Sequence, residues 1–501
     1  MVRETNRYAD QYFRGKGGVG NLKLHARAKK WRPVDREDMT AFIGIILYMG
    51  MARLPTYALY WSNNWLLDLG LKQVISRDRF LNILTFLHCA DNEAAPPRDS
   101  PQYNRLYKVQ EVVDTAIGSW QKCYYPKREM STDETIVPFS GTSSLKGYNP
   151  NKPHKWGITI WCLADARSGY VYNWNIHRGK STGNDPRTQN NDGRGAIHWV
   201  TWDLLESADV LNKGHHLYCD NYFSSKTLFD DLVEENTGAC GTLRRNRIGT
   251  PAVIKQAKPG KKDPPVVAES GDCTFFSWQD RNLVNLITTV HTDATMIKRT
   301  RSKTTDTGWQ ERLKPKAVEL YTRYMRGVDL ADQAMFYSLN THKSVKWWKK
   351  ILFALIEVSM CNSLTIYREL HPGKRHNRNS IRLEVINKLV FGYRNRGPQR
   401  GPAPIAADPD AGLDRLGRAN QLRLIPGNHF TEINLQKTPA GKQSMPNCVV
   451  CSSDTKRHQT QYQCSLCKVA LCPFPCMMRF HTIPVAWKKP CKNVQNYHKA
   501  A

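Results

Sequence analysis

The sequence predicts a multidomain α/β protein with flanking helical segments and a small cysteine-rich module towards its C-terminal end. Three observations carry this prediction. The 501 residues exceed the length at which a single hydrophobic core stops growing, about 250 to 300 residues, so several domains are expected. Short strand-like runs alternate with helical patterns after Glu129, which is typical of a mixed α/β domain. Seven of the fourteen cysteines lie from Cys448 onward, which indicates a separate metal-binding module.

Helical patterns come first along the chain. Residues 36–90 carry apolar side chains at helical spacing, and Phe80, Ile83, Leu84 and Leu87 are a clear example. A stripe of this kind faces a hydrophobic core. We therefore expect these helices to serve packing rather than chemistry.

From Glu129 onward the sequence pattern is that of β-strands. The run EMSTDETIVPF is one predicted strand, and KWGITIWCLADARSGYVYNWNIHRG forms two more, joined by a hairpin turn at 166–169. HHLYCD is a short strand that leads into a helix, and TGACGTLR is another strand. Residues 245–313 combine Pro, Lys and Gly clusters with β-like runs, and we interpret them as an inserted subdomain.

Two long helical patterns follow the predicted insertion. Pro315 is well placed to begin the first, which contains Gly327. Glycine costs about 1 kcal/mol relative to alanine inside a helix, so either the helix breaks there or another element packs against the glycine. The second pattern spans 346–369, and the Arg-, Pro- and Gly-rich stretch 370–443 is predicted to be a linker or an arm that follows DNA.

Charge points to a polyanionic partner. The 73 Lys and Arg residues against 44 Asp and Glu give a net charge of +29, with a pI near 9.6. Nucleic acid would neutralise such a field, although an ordinary basic surface is the alternative. No apolar run reaches the roughly 20 residues that span a bilayer, and the start of the chain lacks the apolar segment of a signal peptide. We therefore expect no membrane partner.

Four aspartates stand out from the basic background. Asp133 lies on the first predicted strand, and Asp220 ends the strand HHLYCD, where ligands commonly bind in α/β sheets. Asp329 and Asp332 are three residues apart, so on a helix they share a face and repel each other unless a cation intervenes. Hard oxygen ligands suit Mg²⁺ or Mn²⁺, and paired ions of this kind cleave phosphodiesters. Helix caps or surface charges are the alternative interpretation of each residue.

The cysteine-rich segment has zinc spacing. Two CxxC pairs are followed by two further cysteines and a histidine, at Cys448, Cys451, Cys464, Cys467, Cys472, Cys476 and His481. Two tetrahedral ions need eight ligands, so His458 is the best remaining candidate, with Cys491 behind it. A cross-brace would join the first CxxC pair to Cys472 and Cys476, and the second pair to both histidines. Reduced structural cysteines without metal are the alternative.

Basic residues near the aspartates are candidates for contacts with DNA phosphates. They are Lys152, Lys155, Arg178, Lys180, Arg244 and Arg245, with Lys146, Trp156 and Arg247 close by. Ordinary surface charge is the competing interpretation for each of them. Trp347 and Trp348 lie among lysines and could stack on bases, but the amphipathic helix that follows favours a role as buried anchors.

Several stretches closely resemble the acidic blocks of piggyBac-family transposases. They are STDETIVPFSGTSSLKGYNPNKPHKWGI, YCDNYFSSKTLFDDL and RGVDLADQ followed by KWW, and the segment DREDMTAFIGIILYMGMARLPTYALYWS resembles the family's N-terminal helical block. The resemblance runs from about Arg36 to His481. It implies an RNase H-like catalytic domain interrupted by an insertion, a helical dimerisation and DNA-binding domain, and a small C-terminal cross-brace zinc finger. The family's three catalytic aspartates fall at Asp133, Asp220 and Asp329, with Asp332 as a further acidic position, whereas Glu134 is not counted as a ligand.

The resemblance also implies a domain order. We expect a helical domain in two parts, 1–128 and 339–425, and a catalytic domain in two parts, 129–245 and 314–338, separated by an insertion at 246–313. A linker at 426–445 and a zinc-binding domain at 446–484 would follow.

The implied function is cut-and-paste DNA transposition. The family nicks transposon ends, forms and opens hairpins, and joins the element at TTAA with Mg²⁺ or Mn²⁺ at the aspartates. A nuclear homodimer that binds double-stranded DNA is expected, with Zn²⁺ in a C-terminal domain that recognises transposon ends or binds chromatin. Two alternatives stay open: a domesticated DNA- or chromatin-binding descendant without mobility, and a metal-dependent nuclease without strand transfer.

Overall fold

The structure is a computed structural model, and it divides into two compact units, Met1–Gln399 and Arg400–Ala501. The residues it describes are 1–150, 152–179, 187, 194–261, 263–291, 295–301, 309–373, 377–394, 429–438, 441–452, 457–473 and 476–482. Each unit has its own buried core. The multidomain organisation expected from the length is consistent with this division.

The first unit begins with four helices: α1 (Val2–Gly15), α2 (Arg36–Met51), α3 (Arg77–Phe86) and α4 (Gln110–Cys123). Short 3-10 turns link them at Val19–Asn21, Arg27–Lys30, Tyr57–Trp61, Trp65–Leu67 and Leu71–Gln73. Asp35 starts α2 because its carboxylate accepts the Asp38 N–H at 2.8 Å, and Asp38 returns the bond in a capping box. The predicted helical character of 36–90 is thus confirmed at both ends, with turns between.

A mixed sheet occupies the middle of this unit. Its strands are β1 (Glu129–Pro138), β2 (Lys146–Tyr148), β3 (Trp156–Asp165), β4 (Val171–Ile176), β5 (His216–Cys219), β6 (Gly238–Thr242), β7 (Val266–Ser270), β8 (Cys273–Gln279) and β9 (Leu283–Thr288). The order is β2-β3-β1-β5-β6-β9-β8-β7, with β4 also paired to β3. Helices α5 (Ala196–Glu206), α6 (Lys226–Glu234) and α7 (Ala252–Gln256) lie between strands along the chain.

Strand direction changes at β1. Strand β1 is antiparallel to β3 but parallel to β5, and β5 is parallel to β6. The predicted hairpin is confirmed, since β3 and β4 are antiparallel across the turn 166–169, where Gly169 has a φ of +70° that favours glycine. Parallel neighbours need a crossover, and the helix α6 supplies it between β5 and β6.

The predicted insertion has two different parts. Strands β7 to β9 continue the main sheet, because β9 pairs with β6. Strands β10 (Thr295–Arg301) and β11 (Trp309–Pro315) form a separate two-stranded ribbon. The segment 245–313 that was interpreted as an inserted subdomain thus extends the central sheet through β7 to β9, and only β10 and β11 form a sheet of their own.

The helical pattern after Pro315 breaks in two, as α8 (Lys316–Tyr324) and α9 (Gly327–Ser338). Packing explains why glycine begins α9: a Cβ at Gly327 would lie 2.3 Å from the Ser131 Oγ and 2.8 Å from the Asp165 carbonyl oxygen. Both expectations for this glycine are met at once. The helix breaks there, and the sheet packs against it.

Helices α10 (Trp347–Leu370) and α11 (Arg378–Arg394) complete the unit. Trp348 is 3% exposed, as expected of a core anchor. By length and composition α10 could cross a bilayer, but 61% of its most apolar stretch is buried inside the protein. Helix α11 packs on α2 and lies in the stretch 370–443 that was predicted to be a linker or arm, so that prediction is wrong for Arg378–Arg394. Residues 395–428 lie outside the described part.

The second unit is built around its cysteines. It contains β12 (Thr431–Ile433), β13 (Tyr462–Cys464) and α12 (Cys476–Thr482). Strands β12 and β13 pair antiparallel, with Thr431 opposite Cys464. The predicted linker 426–445 thus contributes a strand to the cysteine-rich module. The sequence pattern missed it because three residues are too short for a recognisable alternation.

Candidate active site

Strands β1 and β5 bring two of the predicted aspartates together. They run parallel, and Thr132 lies opposite Cys219. One step further along this register, Asp133 lies beside Asp220, which immediately follows β5. The side chains of β1 and β3 at this level belong to a buried apolar sheet, with Cys162 directly opposite Asp133. The two carboxylates are therefore held by backbone pairing, independently of any contact between them.

The turn after β5 fixes Asp220. Its Oδ1 accepts the Tyr222 N–H at 2.8 Å, and its carbonyl accepts both the N–H and the hydroxyl of Ser224. Ser225 then caps α6 by accepting the Leu228 N–H. This sequence of local hydrogen bonds is the reason that YCDNYFSSK turns sharply from strand into helix at this aspartate.

Helix α9 brings the other two aspartates over the sheet. The Oδ1 of Asp332 accepts a hydrogen bond from the Thr135 hydroxyl on β1 at 2.7 Å. Asp329 lies one turn earlier on the same helix, above Gly327. The close packing of that glycine on the sheet keeps α9 near β1, so both carboxylates face the strand that carries Asp133. All four predicted aspartates lie in one region.

Burial of the acids perturbs their protonation. Burial raises the pKa of Asp332 to about 7 and also raises the pKa values of Asp220 and Asp329, and in each case Asp133 adds to the effect. Glu134 belongs to the same cluster: burial and then its interactions with Asp133 raise its pKa to about 8. Such shifts mark a site where negative charge is concentrated without enough positive charge to balance it.

Lys152 is the cation that contacts Asp133. Its Nζ donates to the Asp133 Oδ2 at 2.9 Å and to the Glu134 carbonyl at 2.7 Å, and it lies 3.7 Å from the Glu134 carboxylate. Burial alone would lower the pKa of Lys152, but the surrounding carboxylates, Asp133 foremost, raise it. The sequence suggested a phosphate contact at Lys152; the structure places its ammonium in the acidic cluster.

The donor set suits a hard divalent cation. Carboxylate oxygens are the ligands that Mg²⁺ and Mn²⁺ prefer, and Asp133, Asp220, Asp329 and Asp332 would hold such ions. Among the described residues these oxygens are more widely spread than the ligand atoms of the cysteine-rich module, where each group lies within 4.8 Å.

The cysteine-rich module contains two compact ligand groups. One consists of Cys448, Cys451, Cys472 and Cys476, and the other of Cys464, Cys467, His481 and His429. Within each group all four ligand atoms lie within 4.8 Å of one another. This is the arrangement of a cross-brace, with the pairing of cysteines that the spacing predicted, and thiolate and imidazole donors fit Zn²⁺.

His429 completes the second group of four candidate ligand atoms, so the expectation that His458 does so is wrong. The Nδ1 of His429 lies 3.3 Å from the Cys464 Sγ and 3.5 Å from the Cys467 Sγ. Pairing of β12 with β13 brings it there. The backbone of His458 is instead engaged with Cys448 and Ser452, and its ring belongs to neither group. His429 lies far from the CxxC pairs in the sequence, where no spacing rule identifies it.

The remaining predicted DNA contacts fall in different surroundings. Lys155 is exposed near Lys152. Arg178 is exposed and lines a cavity of about 1070 Å³ together with Arg98 and Arg105. Lys180 lies outside the described residues.

The two arginines after β6 also differ from each other. Arg244 is exposed and donates to the side chain of Asn221 at 3.1 Å, directly beside Asp220. Arg245 instead donates to the Ala257 carbonyl at 2.5 Å, which gives it a structural contact. Arg244 is therefore the better placed of the two to approach a ligand of the acidic cluster.

Two human proteins are similar to this chain in sequence. PiggyBac transposable element-derived protein 3 of Homo sapiens is 23% identical over 463 residues, which cover 89% of this chain and 70% of the relative. PiggyBac transposable element-derived protein 2 of Homo sapiens is 26% identical over 380 residues, which cover 74% of this chain and 59% of the relative. The chain thus spans about six to seven tenths of the length of these two relatives.

A solved structure and a family model agree with these relatives. The cryo-EM structure of the piggyBac transposase synaptic complex with hairpin DNA matches with a TM-score of 0.64 at 23% identity, over 94% of this chain and 91% of that chain. The model of the family described as Transposase IS4 matches residues 1–364, well over half of the 501 residues. The chain therefore belongs to the Transposase IS4 family and is of the piggyBac type.

Proposed function

We propose that this protein is a metal-dependent cut-and-paste DNA transposase. The observation that carries the proposal is the meeting of Asp133 and Asp220 on neighbouring strands, beneath the α9 carboxylates Asp329 and Asp332. Family membership supplies the reaction class, and the net charge of +29 suits a DNA substrate.

The proposed catalytic core is RNase H-like. Three consecutive antiparallel strands, β4-β3-β1, followed by the parallel strands β5 and β6, support this assignment. Asp133 lies on β1 and Asp220 directly follows β5, and the helix with the third aspartate comes after a long intervening segment. On this view β7 to β11 are the insertion, even though β7 to β9 extend the sheet.

Each residue of the site has a different role in the proposed phosphodiester cleavage. Mg²⁺ or Mn²⁺ would activate the attacking water or hydroxyl and stabilise the leaving oxygen. Asp133 and Asp220 present their carboxylate oxygens from the sheet, and Asp329 and Asp332 present theirs from α9, which packs on it. Glu134 lies beside Asp133, and because its pKa is raised to about 8 it is mostly protonated near neutral pH. Exposed Arg244 and Lys155 are placed to bind phosphates that flank the acidic cluster.

The full reaction that we propose is excision and reinsertion. The protein would bind transposon ends as a nuclear homodimer, nick them, form and open hairpins, and join the element at TTAA. The comparison with a transposase that was solved with hairpin DNA supports a DNA substrate. The cysteine-rich module, with Zn²⁺ at its two ligand groups, would bind transposon ends or chromatin.

Asp220→Asn tests the assignment. It keeps the shape of the side chain and the hydrogen bond from Tyr222 but removes the charge, so it should abolish Mg²⁺-dependent cleavage of end-bearing duplexes and leave DNA binding within about threefold. Asp272→Asn, at an exposed turn between β7 and β8, is the control and should cleave normally. Normal cleavage by Asp220→Asn on a denaturing gel would show that the metal site lies elsewhere.

A domesticated DNA-binding protein is the second candidate. The observation in its favour is that the two human relatives are named as derived from a transposable element. The same gel separates the possibilities when end-bearing DNA and Mg²⁺ are incubated with the wild-type protein. Hairpinned flanks and joining at TTAA indicate transposition, open ends alone indicate a nuclease, and tight binding without any cleavage indicates a domesticated protein.

A further inference from the structure

An exposed aromatic pair lies at the edge of the central sheet. Tyr148 on β2 and Trp156 on β3 are directly opposite each other, and each exposes 54% of its surface. Their ring centroids are 4.7 Å apart at an angle of 46°. Neither ring contributes to the hydrophobic core of the unit. A large apolar surface is thus presented to solvent by two rigid side chains.

The surroundings of this pair are cationic. The Lys146 Nζ lies 4.7 Å from the centre of the Trp156 ring, in a cation–π contact, and Lys155 is exposed next to Trp156. The loop between β2 and β3 is closed by a hydrogen bond from the Asn149 N–H to the Lys155 carbonyl at 2.8 Å. Aromatic rings flanked by lysines are the features that bind unpaired bases and their phosphates in proteins.

The pair lies on the same face of the sheet as the acidic cluster. Residues directly opposite each other in antiparallel strands share a face, and so do residues an even number of positions apart in one strand. Asp133 is opposite Cys162, Trp156 is six residues from Cys162, and Tyr148 is opposite Trp156. The side chains of Asp133, Trp156 and Tyr148 therefore project to one side.

The distance between the two sites is suited to one DNA strand. Six residues of strand separate Trp156 from Cys162, which is about 20 Å at about 3.3 Å per residue. This length corresponds to about six nucleotides at the 3.4 Å rise of duplex DNA. The loop that carries the pair also carries Lys152 back to Asp133. A strand held at the acidic cluster would thus reach the aromatic pair within about six nucleotides.

We propose that Tyr148 and Trp156 form a stacking platform for an unpaired DNA base close to the cleavage site. The proposal rests on the proposed function only in taking DNA as the substrate. A reaction that opens DNA ends exposes unstacked bases, and the platform would replace the stacking energy that these bases lose. Lys146 and Lys155 would bind the adjoining phosphates.

The test uses duplexes with a short single-stranded overhang that contains 2-aminopurine, whose fluorescence is quenched on stacking. The probe base is moved one position at a time along the overhang, and no divalent cation is added. The wild-type protein should quench the probe at one or two positions. Tyr148→Ala with Trp156→Ala should abolish the quenching and weaken binding of the overhang duplex by at least about fivefold. Trp156→Phe should retain quenching.

Two controls separate stacking from folding and from charge. Trp65→Ala removes another exposed tryptophan, 82% exposed, from the helical part of the unit and should change nothing. A fully paired duplex should bind the double variant within about twofold of the wild type, because phosphate contacts remain.

Three results would overturn the proposal. Unchanged quenching by the double variant would mean that the base stacks elsewhere. Equal losses of affinity for paired and overhang duplexes would mean that the rings only stabilise the edge of the sheet. Failure of the wild-type protein to bind either duplex would overturn the proposed function, and this inference with it. If the wild-type protein binds and the double variant quenches the probe equally well, only the platform is overturned.

Discussion

Replacing Lys152 with methionine should reveal how far the acidic cluster depends on its internal cation. The ammonium of Lys152 is held by Asp133 at 2.9 Å and by the Glu134 carbonyl at 2.7 Å, and the side chains of Lys152 and Asp133 are only 21% and 16% exposed. Methionine keeps the length of the apolar stem. The change therefore removes the charge and both hydrogen bonds with little loss of packing.

The expected magnitude follows from burial. Removing one partner of a fully buried ion pair destabilises a protein by about 3 to 5 kcal/mol because an uncompensated charge remains. Partial exposure reduces this, so Lys152→Met should lower the free energy of unfolding by about 2 to 3 kcal/mol near pH 7.5. Mg²⁺ should restore more stability to the variant than to the wild type, since Asp133 then has no competing partner.

Urea unfolding followed by tryptophan fluorescence measures both effects. All fourteen tryptophans except Trp487 precede residue 400, so the signal reports the first unit. Lys155→Met is the matched control, because it removes an exposed lysine from the same loop and should change stability by less than about 0.5 kcal/mol. If Lys152→Met matched this control, or if Mg²⁺ stabilised the variant no more than the wild type, the ammonium would not hold the cluster together.

Three further predictions address the helix, the buried acid and the cysteine-rich module. Gly327→Ala places a Cβ 2.3 Å from the Ser131 Oγ, so it should reduce the free energy of unfolding by about 1 to 3 kcal/mol and slow cleavage. Gly118→Ala in α4 is the control: its Cβ would meet nothing within 4 Å, so it should be neutral or stabilising in the same urea assay. Equal effects of the two variants would refute the packing argument. Folding raises the pKa of Asp332 to about 7, so the stability that protonated Asp332 contributes is complete below about pH 4 and is lost as the pH rises towards 7. Over that range the free energy of unfolding should fall by about 1.4 kcal/mol per pH unit in buffer without divalent cations. Asp332→Asn should flatten this pH dependence, and an unchanged slope would contradict the assignment. His429→Ala should release zinc in a colorimetric chelator assay and His458→Ala should not, and the reverse result would restore His458 as a ligand.

Local pattern was sufficient for the strands that carry the first two aspartates. Asp133 and Asp220 each lie in or directly after a run of β-branched and aromatic residues, and parallel pairing of such runs brings them together. The proximity of the α9 carboxylates followed only from the family resemblance. Spacing showed that Asp329 and Asp332 share a helical face, but it did not indicate which element that face contacts.

The features that the sequence did not reveal depend on contacts between distant residues. Lys152 looks like a surface lysine in a polar loop, and only the folding of that loop over the sheet brings its ammonium to Asp133. His429 is brought to Cys464 by a three-residue strand, which carries no recognisable period. Glu134 was not counted as a ligand, and the motif alone does not show the burial beside Asp133 that raises its pKa to about 8.

The packing of α9 explains why the acidic cluster can exist in a folded protein at all. Carboxylates with raised pKa values oppose folding near neutral pH, so the helix that carries two of them needs compensation from other contacts. Gly327 allows the backbone of α9 to approach β1 and β3 closely, and the Thr135 hydroxyl binds Asp332 from the sheet. A cation bound between helix and strand would then relieve repulsion that the packing already sustains. On the proposed function, binding of the cation would restore the stability that the cluster costs without it, and metal affinity would depend on the same contacts that hold α9 on the sheet.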